Sequence, residues 1–273
     1  MNAAATADWQ ILGFADDGPG RGGSEHYGIP ILCASGQIGD QLGLDVHVHL
    51  AIGDLPRRFD AQDIIFGPKL SHMVIGREAL ASERQVRRLA RMAATGASVF
   101  DQCACALPHT IFVERGGAAA TPRAFAALLA EEMAEAAIRI PKAPVDPGRV
   151  TAIESARLRH ALIGDVWRSD DATWTVLYTD DDAAGLFPPC YSRVIMVRAT
   201  TDASACARHV GSDFQTIGLA LPGRRRLVLA EQAALRGAER FPDIGRMTHF
   251  QSPWDGSFVM DRMVRWVSLG GPL

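Results

Sequence analysis

Short apolar runs closed by acidic or glycine turns fill the first sixty residues. "WQILGFADD" (residues 9–17), "IPILC" (29–33) and "VHVHLAIGD" (46–54) read as strands, and "DGPGRGGSEHYG" between the first two reads as a loop. The texture then changes. In "DIIFGPKLSHMVIG" two apolar pieces flank Gly67, Pro68 and Lys69, a strand–turn–strand pattern. A helix is predicted from Ser82, a suitable N-cap, to about Ala94. The strand "HTIFVE" follows, and then a helix opened by Thr121 and Pro122, with Phe125, Leu128, Leu129 and Met133 on one face. Another helix is predicted over Val150–Ile163. Strands at "TWTVLYTD", "SRVIMVRA" and "FQTIGLAL" alternate with helices near 203–210 and 230–235. The chain closes with a strand near "GRMTHF", the turn "SPWDG" and the helix "FVMDRMVRWV". Strands alternating with helices predict an α/β protein with parallel pairing.

Composition narrows the function classes. With 273 residues, 48% apolar and 22% charged, the chain has room for a sizeable core. Its net charge of −3 and single short basic run, Arg224 to Arg226, argue against a nucleic-acid footprint and suit a solvated loop or helix start. No apolar run approaches the roughly 20 residues that cross a bilayer, and "MNAAATADWQ" lacks the pattern of a secretory signal. Five cysteines are too few for a disulfide framework, so a reducing cytoplasm is expected.

Two of those cysteines, Cys103 and Cys105, stand one residue apart in "SVFDQCACALPHTIFVE". Neither a CxxC redox pair nor a second metal-ligand pair accompanies them, and Cys33, Cys190 and Cys206 stand alone. "HVH" places His47 and His49 on one strand face, but no third ligand is signalled nearby, so no metal is expected. A nucleophilic thiol and two inert buried thiols both remain open. Pro108 and the strand after it fix a short loop, in which a thiol can face backbone N–H donors.

"FGPKLSHMVIG", a helix, and then "SVFDQCACALPHTIFVE" resemble the catalytic segment of acyl-CoA reductases of the luminescence fatty-acid reductase (LuxC) type, within the aldehyde dehydrogenase superfamily. "FQTIGLA" and "PWDGSFVMDRMVRWV" agree with it, so the resemblance spans about Asp63 to Val267. It implies an aldehyde-dehydrogenase-like catalytic domain over 61–273, preceded by a truncated or replaced α/β segment over 1–60. That first segment bears a fainter resemblance to the nucleotide-binding part of sugar O-acyltransferases of the sialic-acid type.

The resemblance implies that Cys105 is the nucleophile. A fatty acyl thioester, on CoA or on a protein, would acylate it, and hydride from NADPH or NADH would release an aldehyde. Gln102 and His109 are the accompanying catalytic candidates, and Cys103 a neighbour. Ile65 stands where hydrolytic aldehyde dehydrogenases carry the glutamate that activates water, which favours reduction over oxidation. In residues 1–60 no glycine-rich turn leads from a strand into a convincing helix, so no cofactor-binding residue can be assigned. A partner subunit that supplies the cofactor domain or acyl donor, and an oligomeric state, are therefore expected. Two alternatives stand beside this reading. One is a non-catalytic remnant or interaction module of the same fold. The other is a sugar-nucleotide-dependent acyltransferase, which the missing hexapeptide repeats disfavour.

Overall fold

A computed structural model describes residues 69–181 and 188–262, together with the backbone of five short strands nearer the N-terminus. The chain divides into two compact units, one made of Met1–Gly67 with Val259–Leu273, the other of Pro68–Phe258. This boundary falls later than the expected division after residue 60, and the C-terminal segment groups with the first unit.

In the first unit, β1 (Phe14–Ala15) runs parallel and β2 (Glu25–His26) antiparallel to β3 (Ile29–Cys33). The parallel pair β4 (Val48–Ala51) and β5 (Gln62–Ile65) forms a separate small sheet. "IPILC" is thus a strand as read; of "WQILGFADD" only Phe14–Ala15 lies among the described residues, and it is a strand.

The second unit is built on a six-stranded sheet of order β11-β6-β7-β10-β9-β8. Its strands are β6 (Leu70–Ile75), β7 (Thr110–Glu114), β8 (Asp165–Arg168), β9 (Thr175–Thr179), β10 (Val194–Thr200) and β11 (Phe214–Ala220). All neighbours are parallel except the edge hairpin β8–β9. Every residue of β7, β9 and β10 is buried, as strands covered on both faces require.

Local signals open the helices. Ser82, Thr121 and Asp146 each accept a hydrogen bond from a first-turn backbone N–H of α1 (Glu83–Ser98), α2 (Pro122–Arg139) and α3 (Pro147–His160), and proline fills the first position of α2 and α3. The fourth helix, α4 (Gly223–Ala234), opens at the basic run rather than at Ala230.

Alternation along each strand divides the core between the two faces. On one face Met73, Ile75, Ile111 and Val113 pack on α1 and α2, where alanines at 90, 93, 94 and 97 allow close approach to Phe125, Leu129 and Met133. Leu128 packs at the margin of the same cluster. On the other face Val74 and Phe112 meet α4 and a 3-10 segment, Ala203–His209, while Leu177, Val194 and Met196 meet Ile153 of α3. Phe125 is fully buried, so Phe125→Ala removes a central contact at a cost of about 3–5 kcal/mol.

At the end of β7 the buried carboxylate of Glu114 gathers the guanidinium groups of Arg77 and Arg225 and the backbone N–H of Arg77 and Ala203. Burial alone would raise its pKa; the hydrogen bonds from Arg225 and Arg77 hold it down to about 2.

The expected strand at "GRMTHF" is corrected. Gly245 has φ +92°, and backbone bonds from Arg246 to Asp243 and from His249 to Arg246 make the segment a run of turns. A side chain on Gly245 would meet Met92, so the apolar residues here pack as turn anchors rather than alternating along a strand.

Candidate active site

Two runs of left-handed backbone shape the cysteine loop. Phe100, Asp101 and Gln102 have φ of +48°, +50° and +64°; Tyr191, Ser192 and Arg193 have +55°, +59° and +62°. Non-glycine residues hold such angles only where surrounding contacts over-determine them. Here the contacts are mutual. The backbone N–H of Ser192 donates to the carbonyl of Asp101 at 2.8 Å, and Nε of Arg193 meets Oδ1 of Asp101 at 2.5 Å. Arg193 is 2% exposed and also donates to the carbonyl of Ile140 at 2.7 Å.

Beyond this clasp the chain closes over the start of the sheet. Gln102 Nε2 donates to the carbonyl of Pro108 at 2.9 Å, and Ser71 Oγ donates to the carbonyl of Cys105 at 2.6 Å. The same Ser71 hydroxyl accepts from the backbone N–H of Thr216 at 3.2 Å, and the Ser71 carbonyl accepts from His109 N–H at 3.0 Å. The loop is thereby tied to both β6 and β11.

Cys103 is exposed, whereas Cys105 is partly buried. Burial pushes the Cys105 thiol pKa up. A hydrogen bond from the Gln215 side chain acts in the opposite sense and favours the thiolate. The charge of Asp255 again opposes it, and the backbone N–H groups of Cys105 and Ala106 favour it. Gln215 Nε2 is itself hydrogen-bonded to Asp255 Oδ1.

The Arg240 guanidinium, which lies 4.1 Å from the Trp254 ring centroid, donates to Thr216 Oγ1 and to the carbonyls of Met247 and His249. Burial lowers its pKa; the charges of Cys105 and Asp255 act to raise it. Glu239 completes the group. Burial pushes its carboxyl up, Lys69 opposes this, and the carboxylate of Asp255 adds to it. The sulfur is thus acted on by thiolate-favouring donors from Gln215 and the backbone and by the opposing charge of Asp255, which also couples to Glu239 and Arg240.

Of the residues singled out from the sequence, Cys105 lies at the centre of this arrangement. Gln102 is fully buried and turned to Pro108. His109 is buried with neither ring nitrogen hydrogen-bonded, edge-on to Tyr191 at 4.8 Å, and burial lowers its pKa to about 4. No hydrogen bond joins it to Cys105. Ile65 lies in β5, with its side chain outside the described residues, as are Phe66, Gly67, Pro68 and His47; His49 lies in β4 and its side chain is likewise undescribed. Among the described residues no three His, Cys, Asp or Glu are grouped to hold a metal ion. Gln215, Glu239, Arg240 and Asp255 were not singled out. Two of them had a signal, because Gln215 lies in "FQTIGLA" and Asp255 in "PWDG", both noted for their resemblance.

A nicotinamide dinucleotide needs a turn after a parallel strand where glycine leaves room for its pyrophosphate. A Cβ on Gly76, after β6, would lie 2.4 Å from the Leu221 side chain, and one on Gly117, after β7, would lie 2.6 Å from Leu80. Gly76 and Gly117 make room for the protein's own side chains and do not fit the cofactor, whereas Gly116, after β7, and Gly223, after β11 at the start of α4, have nothing within 4 Å of an added Cβ.

The profile of the acyl-CoA reductase (LuxC) family matches residues 48–266. The chain belongs to this family. The LuxC match includes β4 to β11, the cysteine loop and the Gln215–Asp255 pair. No curated protein matches the chain. Among solved structures, the chain is similar to Delta-pyrroline-5-carboxylate dehydrogenase from Mycobacterium tuberculosis bound with NAD and cobalamin, at 14% identity and a TM-score of 0.49, over 71% of this chain and 38% of that one. It is also similar to an NAD-dependent benzaldehyde dehydrogenase from Corynebacterium glutamicum, at 16% identity and a TM-score of 0.48, over 72% and 43%. A third is Bradyrhizobium japonicum Proline Utilization A, at 13% identity and a TM-score of 0.49, over 79% and 24%. The LuxC-family chain thus spans less than half the length of each of these three proteins.

Proposed function

We propose that this chain carries the thioester-exchange half of an acyl-CoA reductase, with Cys105 as nucleophile. The observation that carries the reading is the half-buried Cys105 sulfur, set among the Gln215 side chain and the N–H groups of Cys105 and Ala106 inside a segment matched by the family. The thiol gives up its proton, and its sulfur attacks the carbonyl carbon of a fatty acyl thioester. The bond from that carbon to the departing sulfur breaks, and the departing thiolate takes up a proton. Acyl-Cys105 and a free thiol result. Donors fixed beside the sulfur suit the negative charge that develops on the carbonyl oxygen. Gln102 serves by bracing the loop through Pro108.

A nicotinamide cofactor, NADPH or NADH, would supply the hydride that releases the acyl group as an aldehyde. A partner subunit that supplies its binding surface belongs to the same proposal. The acyl donor, CoA or a carrier protein, and an oligomeric state belong to the same proposal. Among the described residues no helix is long and apolar enough to cross a membrane. A second reading is a non-catalytic interaction module of the same fold, which the burial of Cys105, acting against its thiolate, suits. Incubation with a labelled acyl-CoA separates the two readings: acyl-Cys105, followed by aldehyde when cofactor is added, supports the enzyme, and an unlabelled protein supports the module.

A further inference from the structure

Strand β11 carries one residue more than its neighbour at the start of the pairing. Phe214 pairs with Leu70 and Thr216 with Ser71, so Gln215 is the extra residue of a β-bulge. A bulge re-aims side chains, and here two consecutive residues hydrogen-bond each other, Thr216 Oγ1 donating to Gln215 Oε1 at 3.2 Å. The segment after α4 closes against the bulge. The backbone N–H groups of Glu239 and Arg240 donate to the Gln215 carbonyl at 2.9 and 3.0 Å, and that of Ile217 donates to the Arg240 carbonyl at 2.8 Å. Gln215 and Thr216 are fully buried, and Arg240 is 6% exposed.

Donors and acceptors fix the Gln215 amide from both ends. A guanidinium only donates, a carboxylate only accepts, and a threonine hydroxyl has a single hydrogen. Arg240 Nη1 donates to Thr216 Oγ1 at 3.0 Å, which leaves the hydroxyl hydrogen for Gln215 Oε1. At the far end, Asp255 Oδ1 accepts from Gln215 Nε2. Exchanging the amide oxygen and nitrogen would set two acceptors against each other there. The NH2 end therefore faces Asp255, and it is this end that donates to Cys105. Arg240 itself lies over the Trp254 ring and is held by a hydroxyl and the carbonyls of Met247 and His249. None of these three partners neutralises its charge.

We propose that Arg240 is a positioning residue for Cys105: through the Thr216 hydroxyl it locks the Gln215 amide with its NH2 group toward the sulfur, where that group stabilises the thiolate that begins acyl transfer. The inference rests on Cys105 as the nucleophile. Gln215 touches the reacting sulfur, whereas Thr216 and Arg240 act through Gln215. The charge of Arg240 couples to that of Cys105 and works in the same sense.

The test is the pH profile of Cys105 alkylation by iodoacetamide in the full chain, localised to Cys105 by peptide fragmentation. Thr216→Val removes the hydroxyl and keeps the Arg240 charge. It should move the profile up by about 0.7 pH unit, the fivefold loss of thiolate that one hydrogen bond of about 1 kcal/mol represents. Thr216→Ser keeps the hydroxyl and should restore the profile. Arg240→Met removes the charge as well and should shift it at least as far as Thr216→Val. In a Gln215→Leu background, Thr216→Val should add no further shift, because the relay has lost its target. Should a variant fail to fold, nitrogen NMR of the unaltered protein decides: the Gln215 side-chain amide signal should move as Cys105 titrates. An unmoved profile in Thr216→Val, a full shift persisting in the Gln215→Leu background, or an amide signal blind to Cys105 ionisation would each overturn the proposal. Acylation by a fatty acyl-CoA is read separately. Shifted alkylation without acyl-Cys105 would refute acyl transfer and uphold the relay.

Discussion

Asp101 and Arg193, ninety-two positions apart in the chain, meet at 2.5 Å and lock two left-handed turns together, one leading into the Cys105 loop and one leading into β10. Arg193 is 2% exposed, so Asp101 supplies the countercharge for a guanidinium with almost no access to water. Removing one partner of such a pair strands the other charge and costs about 3–5 kcal/mol. Because Asp101 is 31% exposed, the lower end applies, and Asp101→Ala should destabilise the protein by about 3 kcal/mol in urea unfolding. A loss below about 1 kcal/mol would mean that Ile140 and solvent satisfy Arg193 without Asp101.

Gln215 and Asp255 act on the Cys105 thiol in opposite directions while bonded to each other. Gln215→Leu should move the pH profile of Cys105 alkylation to higher pH, because a thiolate-stabilising donor is lost. Asp255→Asn should move it to lower pH, because a nearby negative charge is removed. Alkylation rates read by mass spectrometry of the Cys105 peptide check both; shifts of the same sign in the two variants would contradict the assignment.

Acid stability should fall in two stages. The unfolded chain binds protons at histidines near pH 6.5, whereas His109 and His72 in the fold resist protonation to about 4 and about 3. Protonation therefore favours unfolding, and stability declines as pH drops below 6.5. Glu114 adds the second stage. Its folded pKa of about 2 against an ordinary 4.5 contributes stability present above 4.5 and lost as pH falls toward 2, at most about 3 kcal/mol. Urea midpoints between pH 3 and pH 7 measure the sum. His72→Phe should flatten the upper part of the curve; an unchanged curve would mean that His72 protonates equally easily in both states.

Apart from β8, the large sheet was legible because its strands are buried runs bounded by turns, and α1 and α2 because Ser82 and Thr121–Pro122 mark their starts; α3 opens at Pro147, three residues before the expected Val150. Cys105 was legible through its flanking motif. The Arg193 clasp was not, because a left-handed turn of Tyr191, Ser192 and Arg193 carries none of the glycine that normally announces one. Nor were Glu239 and Arg240, which reach the site through parallel bridges beside β11 that no periodicity signals. His109 drew attention by its closeness in sequence to Cys105; Ser71 anchors its backbone, and its ring is buried edge-on to Tyr191.

Gly76 and Gly117 give their space to Leu221 and Leu80 rather than to a pyrophosphate, and no glycine-rich turn in residues 1–60 leads into a predicted helix. Calorimetric titration of the chain alone with NADH and with NADPH should therefore give weak binding. A dissociation constant near 1 μM, about 8 kcal/mol, would reveal a cofactor surface among the remaining residues.

The central claim is that Cys105 accepts an acyl group. Peptide mapping by mass spectrometry after incubation with a fatty acyl-CoA, without cofactor, tests it most directly. The account predicts one acyl group on the peptide around Cys105, localised to Cys105 by fragmentation and lost in Cys105→Ala but retained in Cys103→Ala. Acyl label on Cys103 alone, or on neither cysteine, would contradict it.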